Sequence, residues 1–267
     1  MSILPTSSHI AAVTGSTGAI GKAISRQLAA HDYQVIMLCR DASKASQAVD
    51  DIIQKTGNQY VSFKLVDISR KTSIRKLAAT WQGQLHILIN NAAITPRSRQ
   101  ETPEGIELQF ATNVLGYFWM MQEFSEIMKH SAPSRIVNVA SYWAGGLDCR
   151  DLEFKRRPYK NGIAYQQSKQ ADRMLSVAFA KRLNAYNITV NACHPGDVNS
   201  TLSNNLGFGG HESPDQGAET PVWLATSKTG GVVTGKYFEQ KEESYCHFMN
   251  DKQAVEKLFQ MCRKYSE

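Results

Sequence analysis

The sequence predicts an α/β protein: a single doubly wound domain in which a mainly parallel, seven-stranded sheet is flanked by helices on both faces. Three observations predict it. Over about the first 200 residues, short runs rich in Val, Ile and Leu alternate with longer amphipathic stretches, the pattern of βαβ units. A glycine-rich turn follows the first of those runs. The length of 267 residues and the 42% hydrophobic content suffice for one sizeable core and leave little for a second full domain, so the single domain spans 1–267.

Strands are expected at Ile10 to Thr14, Gln34 to Cys39, Tyr60 to Val66, Leu85 to Asn90, Arg135 to Ala140, Ile188 to Cys193 and Gly235 to Phe238. Each is short and mostly apolar at consecutive positions, as in strands buried on both faces. Between them the helical period places helices at Ala19 to Ala30, Ser43 to Lys55, Thr72 to Trp81, Pro103 to His130, Ile163 to Tyr186 and Asp215 to Thr226, with a last one from about Asp251 to Tyr265. Asp41 stands just before the second helix and suits an N-cap, because its carboxylate can accept from free N–H groups of the first turn. Two loops, at about residues 142–164 and 197–216, are expected to contact substrate. The polar, glycine-rich Ser203 to Gln216 within the second has the length of a lid.

Composition narrows the function classes. No apolar run approaches the roughly 18 residues that cross a bilayer, and Met1 to His9 lacks the basic start and apolar stretch of a secretory leader. A soluble, cytoplasmic protein is expected. Cys39, Cys149, Cys193, Cys246 and Cys262 are odd in number, widely spaced and never CxxC, which points away from a disulfide framework and from a structural metal. The net charge of +6 includes a dense cluster, Lys155-Arg156-Arg157-Pro158-Tyr159-Lys160. Basic residues do not interleave with aromatics as in a nucleic-acid module, so nucleic acid is not the expected partner. Peripheral membrane contact through that cluster or the C-terminal segment stays compatible with the charge.

After the first strand comes Thr14-Gly15-Ser16-Thr17-Gly18-Ala19-Ile20-Gly21. Glycines there let the backbone turn sharply and approach a pyrophosphate, which the free N–H groups of the next helix would bind. The spacing reads either as TGxxxAxG or as GxxGxxG. Cofactor choice is made at the end of the second strand, where an acidic side chain would bind the ribose hydroxyls of NAD and a basic one the 2′-phosphate of NADP. Here the strand ends in Leu38-Cys39-Arg40-Asp41, and Arg40, with charge added by Lys22, favours NADP (NADPH) over NAD. Asp67-Ile68 and Asn90-Asn91-Ala92-Ala93 follow the third and fourth strands, at the edge where ligands bind in open α/β sheets.

Tyr165-Gln166-Gln167-Ser168-Lys169 puts a phenol and an ammonium four residues apart, on one face of a helix. A free tyrosine has a pKa of about 10, and a fixed cation beside it stabilises the phenolate. Bringing the phenol to neutrality needs about 4 kcal/mol, more than one solvated lysine supplies. A second positive charge is therefore expected, and an oxidised nicotinamide ring would provide one.

Taken in order, TGSTGAIG, Asp67-Ile68, NNAA, Ser141 at a strand end, YQQSK and His194-Pro195-Gly196 resemble the short-chain dehydrogenase/reductase family over nearly the whole chain. CRD after the second strand, HPG after the sixth and the long interval from Ser141 to Tyr165 are most similar to its retinol-dehydrogenase-like branch. The resemblance implies a Rossmann fold and an NADP(H)-dependent reaction on a small apolar carbonyl or alcohol. It implies that Tyr165 is the general acid/base, that Ser141 binds the substrate oxygen, and that Lys169 holds the nicotinamide ribose and lowers the tyrosine pKa. Asn113 would belong to a proton relay. Gly15, Ser16, Thr17, Gly18, Ala19, Ile20 and Gly21 would form the phosphate turn, Arg40 the 2′-phosphate site, and Asp67 and Ile68 the adenine site. Asn91 and Ala92 would lie under the cofactor, and Pro195, Gly196 and Val198 beside the nicotinamide. Dimers or tetramers through the two long helices are common in the family. Ala93 stands where the family commonly has glycine, which bears on local backbone geometry, and the long segment Gly145 to Ala164 leaves the substrate open.

Two rivals have their own signatures. A sugar-nucleotide epimerase or dehydratase would suit GxxGxxG but usually needs a larger C-terminal domain than the about 70 residues after Pro195. A non-catalytic NADP-binding regulatory protein would have no use for an intact Ser141, Tyr165 and Lys169.

Overall fold

The computed structural model describes residues 9–267; the segment 1–8, on which most of the expectation about a leader rests, lies outside the described residues. Its strands are β1 (Ile10–Thr14), β2 (Gln34–Cys39), β3 (Val61–Leu65), β4 (Ile87–Asn90), β5 (Ser134–Val139), β6 (Ile188–Cys193), β7 (Tyr237–Glu239) and β8 (Glu242–Glu243). They form one sheet in the order β3-β2-β1-β4-β5-β6-β7-β8, parallel up to β7, with β8 antiparallel to β7. The sheet thus has eight strands rather than the expected seven. The extra one is two glutamates, residues of low strand propensity in a piece too short for any period to register.

The helices are α1 (Ala19–Ala30), α2 (Ala42–Thr56), α3 (Lys71–Ala79), α4 (Leu108–Phe110), α5 (Gly116–Lys129), α6 (Asn161–Leu183), α7 (Thr201–Asn205), α8 (Pro214–Thr226), α9 (Lys228–Val232), α10 (His247–Asn250) and α11 (Lys252–Lys264). Asp41 does cap α2, accepting from the Lys44 N–H at 3.0 Å. The helix expected from Pro103 starts later because Gly105, with φ +77°, closes a turn in which the Thr102 N–H donates to the Ile106 carbonyl at 2.8 Å. Glu107 then caps α4 by accepting from the N–H groups of Gln109 and Phe110. Between α4 and α5 the helix widens into a π-turn, Ala111–Leu115. The expected lid loop is partly ordered as α7 and the start of α8.

Successive strand residues point to opposite faces, and both faces are covered. Ala12, Ile36, Leu88 and Ile136 pack under α3, α5, α6 and α11, while Ala11, Val13, Met37, Ile89 and Val137 pack under α1, α2 and α8. Each such buried aliphatic side chain contributes roughly 1.5–3 kcal/mol of transfer free energy. From the adjacent strands β1 and β4 the chain leaves in opposite directions along the sheet, and at such a switch point the carboxyl edge opens into a crevice. Among the described residues no helix is long and apolar enough to cross a membrane.

Candidate active site

The crevice begins at the turn between β1 and α1. Gly15 holds φ +63°, and a Cβ there would lie 2.7 Å from the Ala92 Cα. A Cβ at Gly21 would collide with the Gly15 carbonyl and lie 2.6 Å from the Asn91 Nδ2. Gly18 is different: its φ is −78°, and a Cβ would meet only the Gly15 carbonyl, at 3.3 Å. The steric demand therefore falls on Gly15 and Gly21, the TGxxxAxG spacing. Asn91 ties this turn to β4, its backbone N–H donating to Thr14 Oγ1 and its side-chain amide to the Thr14 carbonyl, both at 2.9 Å. Ala93 has no left-handed φ, so nothing in the backbone calls for glycine at that position.

A cleft of about 530 Å³ opens over the turn, a size typical of cofactor sites. Of the expected residues, Gly15, Thr17, Gly18, Ala19, Ile20, Gly21, Arg40, Asp67, Ile68, Asn91 and Ala92 line it. No side chain caps α1, so the N–H groups of its first turn, at the cleft wall, have no capping acceptor. Ser16 is turned away, its hydroxyl donating to the Leu38 carbonyl at 3.2 Å. Arg40 and Lys44 bring two exposed cations to the far end of the cleft. Lys22, expected to add charge there, is instead held by Asp51 at 2.8 Å on the outer side of α1. Lys44 lies one helical turn into α2, and only the folded α2 shows which of its faces meets the cleft. Ser200, Thr201 and Leu202, from the loop expected to contact substrate, also line it; Pro195, Gly196 and Val198, nearer β6, do not. Pro195 and Gly196 line a separate polar cleft of about 390 Å³ with Tyr142, His194, Asp197, Glu212, Glu239 and Lys241, and Val198 is buried.

Tyr165, Lys169, Ser141 and Asn113 come together behind the inner wall. The Lys169 Nζ is 5.8 Å from the centre of the Tyr165 ring, and the Ser141 side chain hydrogen-bonds the phenol. Ser141 Oγ accepts from the Trp143 N–H at 3.1 Å. Arg173, buried and donating to the Ser141 carbonyl and to the Tyr237 hydroxyl, fixes the backbone of that serine. Asn113 sits in the π-turn, a helical irregularity frequent at functional sites. Its side chain accepts from the Ile94 N–H at 2.9 Å and donates to Ser168 Oγ at 3.2 Å, joining the cleft wall to α6. Trp143 stands with its ring 6.1 Å from that of Tyr165 and 5.4 Å, edge to face, from that of Phe208, and the Asn161 amide ties α7 to the start of α6.

Burial pushes the Tyr165 phenol up from its ordinary value; Lys169 and the Ser141 hydrogen bond pull it down without overcoming that. Burial alone would depress the Lys169 ammonium, but Asp172, with its Oδ2 2.9 Å from Nζ, holds it well above the usual lysine range. Burial lowers His194 to about 4. Leu147 packs against the core, Tyr142 stacks edge-on to His194, and the basic cluster is partly neutralised by Glu153 on Lys155 and Asp151 on Arg157. Among the described residues, no group of three or more His, Cys, Asp and Glu is placed to hold a metal ion.

Residues 9–207 match the short chain dehydrogenase family. Human retinol dehydrogenase 13 is 34% identical over 247 residues, which cover 85% of this chain and 75% of that protein. Among solved structures, an uncharacterized protein from Mycobacterium Paratuberculosis has a TM-score of 0.81 at 23% identity, covering 97% of this chain and 95% of its own. A variant of actinorhodin polyketide ketoreductase, solved with NADPH, has a TM-score of 0.68 at 21% identity and covers 87% and 95%. The chain belongs to the short-chain dehydrogenase/reductase family, in its retinol-dehydrogenase-like branch, whose members use a nicotinamide cofactor to act on CH–OH and C=O groups.

Proposed function

We propose that this protein is an NADP(H)-dependent oxidoreductase moving a hydride between the nicotinamide and an apolar carbonyl or alcohol, retinoid-, steroid- or aromatic-ketone-like, with Tyr165 as proton-transfer group. The observation that carries the reading is the buried cluster of Tyr165, Ser141 and Lys169, linked to the cleft wall through Asn113 and Ser168. The residues fit the cofactor. Gly15 to Gly21 would take the pyrophosphate against the start of α1, Arg40 with Lys44 the 2′-phosphate, and Asp67 with Ile68 the adenine. Asn91 and Ala92 would lie beneath it, and Lys169 would hold the nicotinamide ribose. Bound there, NADPH supplies the hydride.

The chain's own groups handle the proton. Burial keeps Tyr165 a phenol at neutral pH, the form needed to protonate a carbonyl oxygen as its negative charge develops. Ser141 Oγ accepts from the Trp143 N–H, and its one O–H, beside the phenol, would turn to the same oxygen once substrate is bound. The Lys169 ammonium then stabilises the phenolate left behind. Trp143 and Phe208 exclude water from these steps and supply the apolar wall that a retinoid- or steroid-like substrate needs. The name of the retinol dehydrogenase relative and the NADPH in the ketoreductase structure are in keeping with this reading.

A panel of retinoid, steroid and small aromatic carbonyls, assayed with NADPH and NADH in parallel, tests it. Turnover with NADPH, preferred by about tenfold or more, is expected. Tight NADPH binding with no oxidation by any carbonyl of the panel would instead make the chain a regulatory binding protein.

A further inference from the structure

We infer that Asp172 is a positioning residue that keeps Tyr165 in its protonated form by competing with the phenolate for the charge of Lys169. The inference rests on the proposed reading of Tyr165 as the proton-transfer group. Lys169 is 2% exposed and Asp172 0%, and they meet at 2.9 Å. A buried ammonium needs a counter-ion, and around this one stand the Asp172 carboxyl and the phenols of Tyr117 and Tyr165. In water the carboxyl is the stronger acid by about six pK units, so it takes the role first. Asp172 depends on the pair in turn: its Oδ1 has no hydrogen-bond partner, and Lys169 donates to its Oδ2. A second Lys169 N–H goes to the Val139 carbonyl at 3.0 Å, which leaves one of three donors for the Tyr165 side.

The other titratable groups around the pair come from several elements. Tyr117 of α5 lies against Lys169, with Nζ 5.1 Å from its ring, and donates to the Val139 carbonyl. Cys193 at the end of β6 feels Lys169, Cys262 of α11 feels Asp172, and Asp197 of the loop after β6 acts on Tyr165. Burial raises both cysteine thiols and the Tyr117 phenol, so they stay neutral and leave Lys169 and Asp172 as the charged pair. Burial also pushes the Asp172 carboxyl up to about 7, with Lys169 opposing, so the pair is charged through the mildly alkaline range where a phenol would begin to ionise. Asp172→Asn would keep the shape and the acceptor while leaving the ammonium between two phenols, Tyr117, whose hydroxyl already donates to the Val139 carbonyl, and Tyr165.

Cofactor-free protein labelled with [¹³Cζ]tyrosine reads this directly, with the Tyr165 resonance assigned by its loss in Tyr165→Phe. In the wild type Tyr165 stays protonated to a pH above the ordinary phenol range. In Asp172→Asn its midpoint falls by about one unit or more, the alkaline limb of kcat/KM with NADPH moves down by the same amount, and Asp172→Glu restores wild-type behaviour. An unchanged Tyr165 midpoint in folded Asp172→Asn overturns the inference. Should Asp172→Asn not fold, Asp172→Ser, smaller and equally uncharged, carries the same comparison, and an unchanged Tyr165 midpoint there overturns the inference. Failure of the parent reading looks different: turnover surviving in Tyr165→Phe, whatever the resonance does.

Discussion

At the phosphate turn the binding groups are backbone atoms, the N–H groups opening α1 and the glycine whose φ of +63° seats the turn against Ala92. Around Tyr165 they are side chains in a buried network, with Lys169 and Asp172 paired on α6, Ser141 held by the Trp143 N–H, and Asn113 reaching Ser168 from another helix. The first region depends on the absence of atoms and the second on their charges. A substitution at the turn should therefore act through affinity, and one in the network through rate and pH.

Tyr165→Phe should break the network most. Loss of the proton donor is expected to lower kcat by about 10²- to 10⁴-fold with the NADPH dissociation constant nearly unchanged, as steady-state kinetics and cofactor-fluorescence titration would report. Gly15→Val attacks the turn instead, combining a β-branched residue at positive φ with a Cβ 2.7 Å from backbone. NADPH affinity should fall about a hundredfold, near 3 kcal/mol, by calorimetric titration. Arg40→Ala should weaken NADPH about tenfold and leave NADH unaffected, and adding Lys44→Ala should deepen that loss. Trp143→Ala removes aromatic contacts with Phe208 and Tyr165 worth about 0.5–1.5 kcal/mol each, so KM for an apolar carbonyl should rise severalfold while NADPH binding holds.

The smallest expected effect is a pH dependence of stability. His194 is held neutral, with its pKa lowered from the ordinary 6.5 to about 4. Between those values the unfolded chain binds the extra proton, so its contribution is intact above about 6.5 and is lost as pH falls toward about 4. Denaturant titrations at pH 7 and pH 5 should show that loss, and His194→Gln should reduce it.

The same contrast explains what was legible in the sequence. Gly15, Gly21 and the Asp41 cap could be read because a turn or a cap accepts few residue types, and the alternating apolar runs follow from a sheet buried on both faces. Lys44 was missed because periodicity marks a helix without telling which side meets the cleft. The π-turn around Asn113 has no residue signature. The Lys169–Asp172 pair lies on α6, a helix buried around most of its circumference, so no polar stripe separates a functional carboxylate from a solvated one. Tyr165 and Lys169 were placed side by side, with one lysine too little to bring the phenol to neutrality, but Asp172 was not seen, because burial and a third ionisable group are properties of the folded chain.

The most direct test uses NADPH carrying deuterium at the transferable position of its nicotinamide, given to the wild type and to Tyr165→Phe with an apolar carbonyl. The account predicts deuterium on the carbinol carbon of the wild-type product, and the same label formed at least about a hundredfold more slowly by Tyr165→Phe at full cofactor occupancy. Bound NADPH that gives no label with the wild type, or equal labelling rates in the two proteins, would contradict it.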